Sequence, residues 1–313
     1  MVERNEDKEK AMRIAVTTPT GHVGSAVADF LLDFGGNVQV RLLARRADKL
    51  TDLIQRGAET VIGSQDDVDY LCRATQGVNT LFWATPPGYG SDNVRAFQNR
   101  LGTTAAKAIE TNRIARVVNL SSIGADLASG NGPIGGLHDV EGLLNETACN
   151  VVHLRPGFFF ENLLWQLDSI RKWGRISLPI SASTRYPMLA TRDISRAAAV
   201  RLTSTGWTGQ IVQELHGPAE LSFREVAEIL TEVLGRKIVY IKCDREEMRD
   251  MMLKNAMSEN AADQMLELYE AVDAGRLRIT QPRSPETTTP TTLAEFAHDV
   301  IVPLLTTPVG SNR

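Results

Sequence analysis

The sequence predicts an α/β fold: a doubly wound parallel sheet followed by a smaller mixed α+β C-terminal lobe. Strand and helix patterns alternate from Met12 to Pro156 with only short punctuation between them, the signature of a parallel sheet covered on both faces. After Pro156 the rhythm changes to helices separated by short strands. With 313 residues, 42% of them hydrophobic and 23% charged, the chain is long enough for a nucleotide-sized domain plus a lobe.

Each element has a local reason. "MRIAVT" is a short apolar strand, and Ser25 to Phe34 a helix that Gly35-Gly36 can close. "VQVRLLA" has the alternation and β-branching of a second strand. "ADKLTDLIQRG" is a helix ending at Gly57 and "ETVIG" a third strand. "DVDYLCRATQG" is a helix ending at Gly77, and "NTLFWA" a fourth strand stopped by Pro86-Pro87. Ser91 to Asn112 is a long helix, "ARVVNLSS" a fifth strand, "LHDVEGLLNETA" a helix and "NVVHLRP" a sixth strand. The lobe is expected to hold the helices "DISRAAAVRLTS", "SFREVAEILTEVLG", "DREEMRDMMLKNAM" and "NAADQMLELYEAVDAG", with "GQIVQEL" and "KIVYIK" as strands. No Gly-, Ser- or Pro-rich linker separates the parts, so the lobe is expected to pack on the sheet.

These patterns set the expected boundaries. Residues 1–11 read as a disordered extension, 12–156 as the nucleotide domain, 157–305 mainly as a substrate lobe and 306–313 as a flexible tail, with the chain free to return to the first domain after Pro156. The formal net charge of −4 supplies no positive field for nucleic acid. Cys72, Cys149 and Cys243 are odd in number and form no C-x-x-C, which argues against a disulfide framework or a zinc site. No pair of histidines has metal-ligand spacing, and no apolar run suits a signal peptide or membrane span. A cytoplasmic protein with a small-molecule partner is expected.

"AVTTPTGHVGSAVADFLLDFGG" is the most informative stretch. A strand leads through a turn into a helix, and Gly21 and Gly24 clear the backbone where a pyrophosphate approaches a helix N-terminus. Thr18 stands where the first glycine of this Rossmann-type turn usually sits, and its hydroxyl or that of Thr20 offers a further donor. A chance turn is the bland alternative for a lone G-x-x-G, but the flanking strand and helix favour a dinucleotide. The end of the second strand, "LLARRADKL", has no acid before Asp48 to hold a ribose 2′-hydroxyl. Arg45, Arg46 and Lys49 stand there instead, favouring the 2′-phosphate of NADP(H) over NAD(H), which stays possible. A solvated basic turn is the alternative.

At this point the chain resembles the NmrA-like family of atypical short-chain dehydrogenase/reductases. The resemblance rests on "TPTGHVG", "VRLLARRADKL", "LFWATPPG", "RVVNLSSIGAD", "LRPGFFFENLL", "ATRDISRAAAVRL", "LTEVLGRKIVY" and "TPTTLAEFAHDV", in that order. It implies an NAD(P)-binding Rossmann domain with a lobe closing a cleft over the nicotinamide. It places the pyrophosphate on Thr20, Gly21, His22, Val23 and Gly24, and the 2′-phosphate on Arg45 and Lys49. Thr85 and Pro86 would lie along the ribose, and Phe159 and Asn162 would line the nicotinamide end. Among Phe158 to Phe160, at least one is expected to be plain core. Members of the family include NADPH-dependent quinone reductases and redox-sensing regulators without turnover.

The wider superfamily moves protons with a Tyr-x-x-x-Lys pair on one helix face. None of Tyr70, Tyr89, Tyr186, Tyr240 and Tyr269 has a lysine four residues later. Leu137 stands where relatives often keep a lysine, four residues before Glu141. His138, sharing a helix turn with Glu141, is the candidate proton donor, with an exposed helix-end histidine as its alternative. Tyr89, Ser122 and Trp165 are the expected substrate contacts. An oxidoreductase without the Tyr–Lys pair fits an activated acceptor such as a quinone, because the cofactor brings the hydride and the protein mainly orients it. The alternative is an NADP(H)-binding sensor that acts through a protein partner without turnover.

Overall fold

The computed structural model describes residues 11–306. Apart from Ala11 and Thr306, the extension and the tail expected at the two ends lie outside the described residues. The first half runs β1 (Met12–Thr17), α1 (His22–Phe34), β2 (Val38–Ala44), α2 (Thr51–Gln55), β3 (Glu59–Ile62), α3 (Val68–Ala74), β4 (Thr80–Ala84), α4 (Val94–Asn112), β5 (Arg116–Leu120), α5 (Ile134–Asn145) and β6 (Asn150–Pro156). The second half runs β7 (Phe158–Phe159), α6 (Leu167–Trp173), β8 (Arg175–Leu178), β9 (Arg185–Leu189), α7 (Thr191–Thr203), β10 (Gln210–Leu215), β11 (Glu220–Ser222), α8 (Phe223–Leu234), β12 (Val239–Lys242), α9 (Arg245–Lys254), α10 (Glu259–Asp273), α11 (Leu293–Phe296) and α12 (Val302–Thr306). Among the described residues no helix is long and apolar enough to cross a membrane.

Seven parallel strands form the main sheet in the order β10-β6-β5-β4-β1-β2-β3. The order reverses between β1 and β4, so a crevice opens at their C-terminal ends, where such sheets bind ligands. The strands are apolar on both faces. Val118, Val152 and Leu154 pack toward α1 and α7, while Val117 and Val151 pack toward α3, α4 and α5.

Two segments read as lobe elements belong with the main sheet, one as a strand and one as a helix packed on it. β10 pairs with β6 from Gln210↔Val151 to Leu215↔Pro156. α7 crosses back between them and lies against α1. Its small residues explain the close approach: Ser195 and Ala198 are buried, and Ser195 Oγ donates to Val23 C=O at 3.0 Å as well as to Thr191 C=O. The other departures are at boundaries. α1 begins at His22 rather than Ser25, α2 shrinks to one turn, and α5 begins three residues before Leu137.

The rest of the second half forms the lobe. β7, β9 and β11 make one small sheet, and β8 and β12 another. Phe158 meets Phe223 edge-on at 5.8 Å, Phe223 stacks on Tyr240 at 5.3 Å, and Phe160 meets Phe296 at 5.5 Å. The methionine-rich stretch folds as the hairpin α9–α10, with Met248 and Met252 buried against Cys243 and Leu266.

The loop between β8 and β9 is tied to α10 through one carboxylate. Asp273 accepts from Ser181 N–H at 2.8 Å, Ser181 Oγ–H at 3.0 Å, Thr184 Oγ1–H at 2.6 Å and Lys242 Nζ at 2.8 Å. Burial works against its charge, but these donors outweigh it and hold the carboxyl well below the usual carboxylate range. A carboxylate depressed in the folded state adds stability above its unfolded pKa and loses it as the pH falls. Asp273→Asn is therefore expected to lower stability by about 1–3 kcal/mol at neutral pH. Urea unfolding across a pH series checks this, and the gap between variant and parent should shrink below about pH 4.

Candidate functional site

The turn from β1 to α1 lies at the crevice. Thr17 holds β1 and β4 together there, its Oγ1 donating to Phe82 C=O at 3.1 Å and accepting from Ala84 N–H at 2.9 Å. Thr18 has φ 49, the left-handed region that favours glycine. The threonine thus keeps the backbone course of the turn although it lacks the usual residue. Gly21 N–H donates to Thr18 C=O at 3.0 Å and closes the turn.

The two glycines serve different purposes. A Cβ on Gly24 would lie 2.8 Å from the Thr18 carbonyl carbon and 3.0 Å from Thr17 O, so only glycine lets α1 sit this close to the turn. A Cβ on Gly21 would meet nothing in the protein nearer than Thr18 O at 3.5 Å, and its φ of −89 suits any residue. Neither packing nor strain calls for glycine at 21. The space in front of Gly21 is therefore open at the crevice. Among the described residues no side chain caps α1, which leaves the N–H groups of its first turn open to an anion.

The other candidates gather around this end of the sheet. Arg45 and Lys49 follow β2, next to β1. Both are exposed, and neither has a hydrogen bond or ion pair among the described residues. Arg46 differs, since it forks onto Asp48 at 3.1 and 3.0 Å. Two uncommitted cations beside an uncapped helix end match the donor set that an adenine dinucleotide 2′-phosphate and pyrophosphate need. Thr85 and Pro86 follow β4 on the other side of β1, with Thr85 Oγ1 accepting from Trp83 Nε1–H at 3.0 Å. Tyr89 lies farther along this loop, and its C=O accepts from Ser258 N–H at 2.8 Å.

Beyond β5, Ser121 is buried with its Oγ unpartnered, and Ser122 Oγ donates to Ile123 C=O at 3.2 Å. Ser122 C=O accepts from Ala125 N–H, and Ala125 C=O accepts from His138 Nδ1 at 2.8 Å. The carbonyl can only accept, so Nδ1 carries the proton and a neutral His138 keeps Nε2 as its free nitrogen. One turn thus links His138 to Ser122. Glu141 does not join them. It is buried and forks onto Arg155 at 2.9 and 2.6 Å.

The "FFFEN" segment divides three ways. Phe158 and Phe160 belong to the lobe core, while Phe159 packs against the core on the α1 and α7 side. Glu161 accepts from Thr191 N–H at 3.0 Å and Thr191 Oγ1–H at 2.6 Å, so it caps the start of α7. Burial pushes its carboxyl up, and the bonds from Thr191 act in the opposite direction. Thr191, which Glu161 binds, and Ser195, which binds Val23 C=O, lie one turn apart on α7, so the glycine turn and this segment are neighbours. Asn162 is exposed and Trp165 is 80% exposed on the short 3₁₀ helix that follows.

Sequence reasoning missed Thr17 and Ser195, which brace the turn, and Glu161, which caps α7. Their partners lie 30 to 172 residues away along the chain, so spacing carries no sign of them.

The NmrA-like family model matches residues 10–297. An NAD(P)H azoreductase from Xenophilus azovorans is 30% identical over 286 residues, covering 91% of this chain and 96% of that one. Quinone oxidoreductase 2 of Escherichia coli is 24% identical, covering 84% and 89%. Among solved structures, the E. coli NADPH-dependent quinone oxidoreductase complexed with NADPH has a TM-score of 0.77 at 21% identity, over 92% of this chain and 99% of that one. Triphenylmethane reductase of Citrobacter complexed with NADP(H) has a TM-score of 0.72 at 23% identity, over 86% and 93%. At these identities the two structures bear on the fold alone. With the family model spanning nearly its whole length, the chain belongs to the NmrA-like family.

Proposed function

We propose that the protein is an NADPH-dependent oxidoreductase that reduces a quinone-like or other activated small-molecule acceptor. The observation that carries this reading is the pair of uncommitted cations, Arg45 and Lys49, beside the uncapped end of α1 at the sheet crevice. The full-length similarity to an NAD(P)H azoreductase supports the class of reaction.

When bound, the cofactor supplies the hydride. The chain's own part is binding, orientation and proton supply. The N–H groups of the first turn of α1 hold the pyrophosphate, with Thr18 and Thr20 as hydroxyl donors. Arg45 and Lys49 hold the 2′-phosphate. Thr85 and Pro86 flank the ribose, and Phe159 and Asn162 border the nicotinamide end. Ser122, Tyr89 and Trp165 are the assigned acceptor contacts. His138 supplies a proton from Nε2 when the ring is charged, and its bond to Ala125 C=O fixes the ring's direction. General acid help of this kind is worth about 10²–10⁴ in rate. An acceptor whose reduced oxygens or nitrogens also take protons from water depends on it least.

The test is NADPH consumption, followed by absorbance, with a panel of quinones and azo compounds. Turnover with at least one of them is expected. Tight NADPH binding without oxidation across the panel would instead favour a sensor acting through a protein partner. Arg45→Ala should weaken NADPH binding about 10- to 100-fold, the worth of a lost charge-assisted contact, while leaving NADH binding unchanged. Parallel titrations with the two cofactors read this directly.

A further inference from the structure

The lobe carries a cavity of about 520 Å³ that the cofactor site does not use. None of its lining residues comes from the seven-stranded sheet or from the loops at its C-terminal edge. The volume is in the range of small-molecule sites. Pro179, Leu266 and the ring of Tyr269 give it an apolar lining, with the thiol of Cys243 beside them.

Two of its cations and two of its carboxylates pair off, which leaves Asp244 and Arg276 as the charged groups outside ion pairs among the described residues. Lys242 Nζ pairs with Asp273 at 2.8 Å, and Arg245 Nε with Glu270 at 2.9 Å. Asp244 is committed as the cap of α9, accepting from Glu246 N–H at 2.8 Å. Arg276 remains. It is exposed at the cavity wall, and its guanidinium has no hydrogen bond or ion pair among the described residues. The hydroxyl of Tyr269 likewise has no hydrogen bond. Burial pushes this phenol up, so it stays a neutral donor.

We infer that this cavity is an accessory site for a planar aromatic anion, with the ring against Tyr269 and Leu266 and a carboxylate or sulfonate on Arg276. A guanidinium forks onto such a group, and a flat ring makes the most of an aromatic wall. α10 gives the cavity a fixed relation to the cofactor side. It spans about 22 Å from Asp273 to its cap Ser258, which donates to Tyr89 C=O and, through Oγ, to Ser91 C=O.

Calorimetric titration of the full chain with naphthalene-2-sulfonate, with and without saturating NADPH, tests this. One site per chain is expected, undisplaced by NADPH. Affinity should fall at least about tenfold in Arg276→Glu and in Tyr269→Ala, and for uncharged naphthalene. Arg276 is exposed, so that variant should unfold at the parent temperature. Absence of binding, binding unchanged in Arg276→Glu, or displacement by NADPH would each overturn the inference. The titration without NADPH reads the cavity even if the protein does not bind that cofactor, so the two readings fail separately.

Discussion

Gly24→Ala is expected to raise the Kd for NADPH at least about 100-fold, or about 2.7 kcal/mol. The added Cβ would run into the backbone of Thr17 and Thr18, which cannot yield as a side chain can. α1 must move away from the turn, and its open N–H groups move with it. Overpacking of this kind also costs about 1–3 kcal/mol of stability. Gly21→Ala provides the contrast. Its Cβ meets nothing tight in the protein, so stability should change by less than about 0.5 kcal/mol. NADPH binding should nevertheless weaken at least about tenfold, because the methyl group enters the space left for the pyrophosphate. Thermal unfolding and calorimetry on the two variants separate packing from ligand access. Equal losses of stability in both would refute the distinct roles.

Arg155→Met should have the largest effect on folding, about 3–5 kcal/mol. Arg155 is the penultimate residue of β6 and Glu141 lies on α5. Their side chains are only 11% and 7% exposed, with the nearest oxygen and nitrogen 2.6 Å apart. Removing the cation leaves a carboxylate buried without its partner. The double change Glu141→Leu with Arg155→Met should recover most of the loss, because an apolar pair of similar volume often serves as well. The pair also fixes α5, whose His138 is the proposed proton donor. The single variant should therefore lose turnover well below its unfolding temperature. Urea unfolding of the parent, single and double variants measures the coupling.

The legible parts of the fold were local. β1 to β6 alternate with helices and short turns, so composition and period suffice to place them in a parallel sheet. β10 and α7 were read as a strand and a helix, but their places beside β6 and α1 were not legible. A six-residue strand pairs with whatever lies beside it, and nothing in "GQIVQEL" says that its neighbour is β6, some 60 residues earlier. The candidate site divides along the same line. The glycine turn is contiguous and could be read, even though Thr18 looked like a departure; its φ of 49 shows that the backbone kept its course. Glu141 was read beside His138 because helix spacing allows it. The partner that claims it, Arg155, comes from a strand. In "FFFEN" the aromatic run drew notice, whereas Glu161 does the positioning by capping α7.

The most direct test of the account is calorimetric titration of the purified protein with NADPH and NADH in parallel. One site per chain is expected, with an NADPH affinity at least about tenfold above that for NADH, the share of free energy assigned to Arg45 and Lys49. Equal affinities would contradict the assignment of the 2′-phosphate, and no binding of either would contradict the reading of the β1–α1 turn as a dinucleotide site.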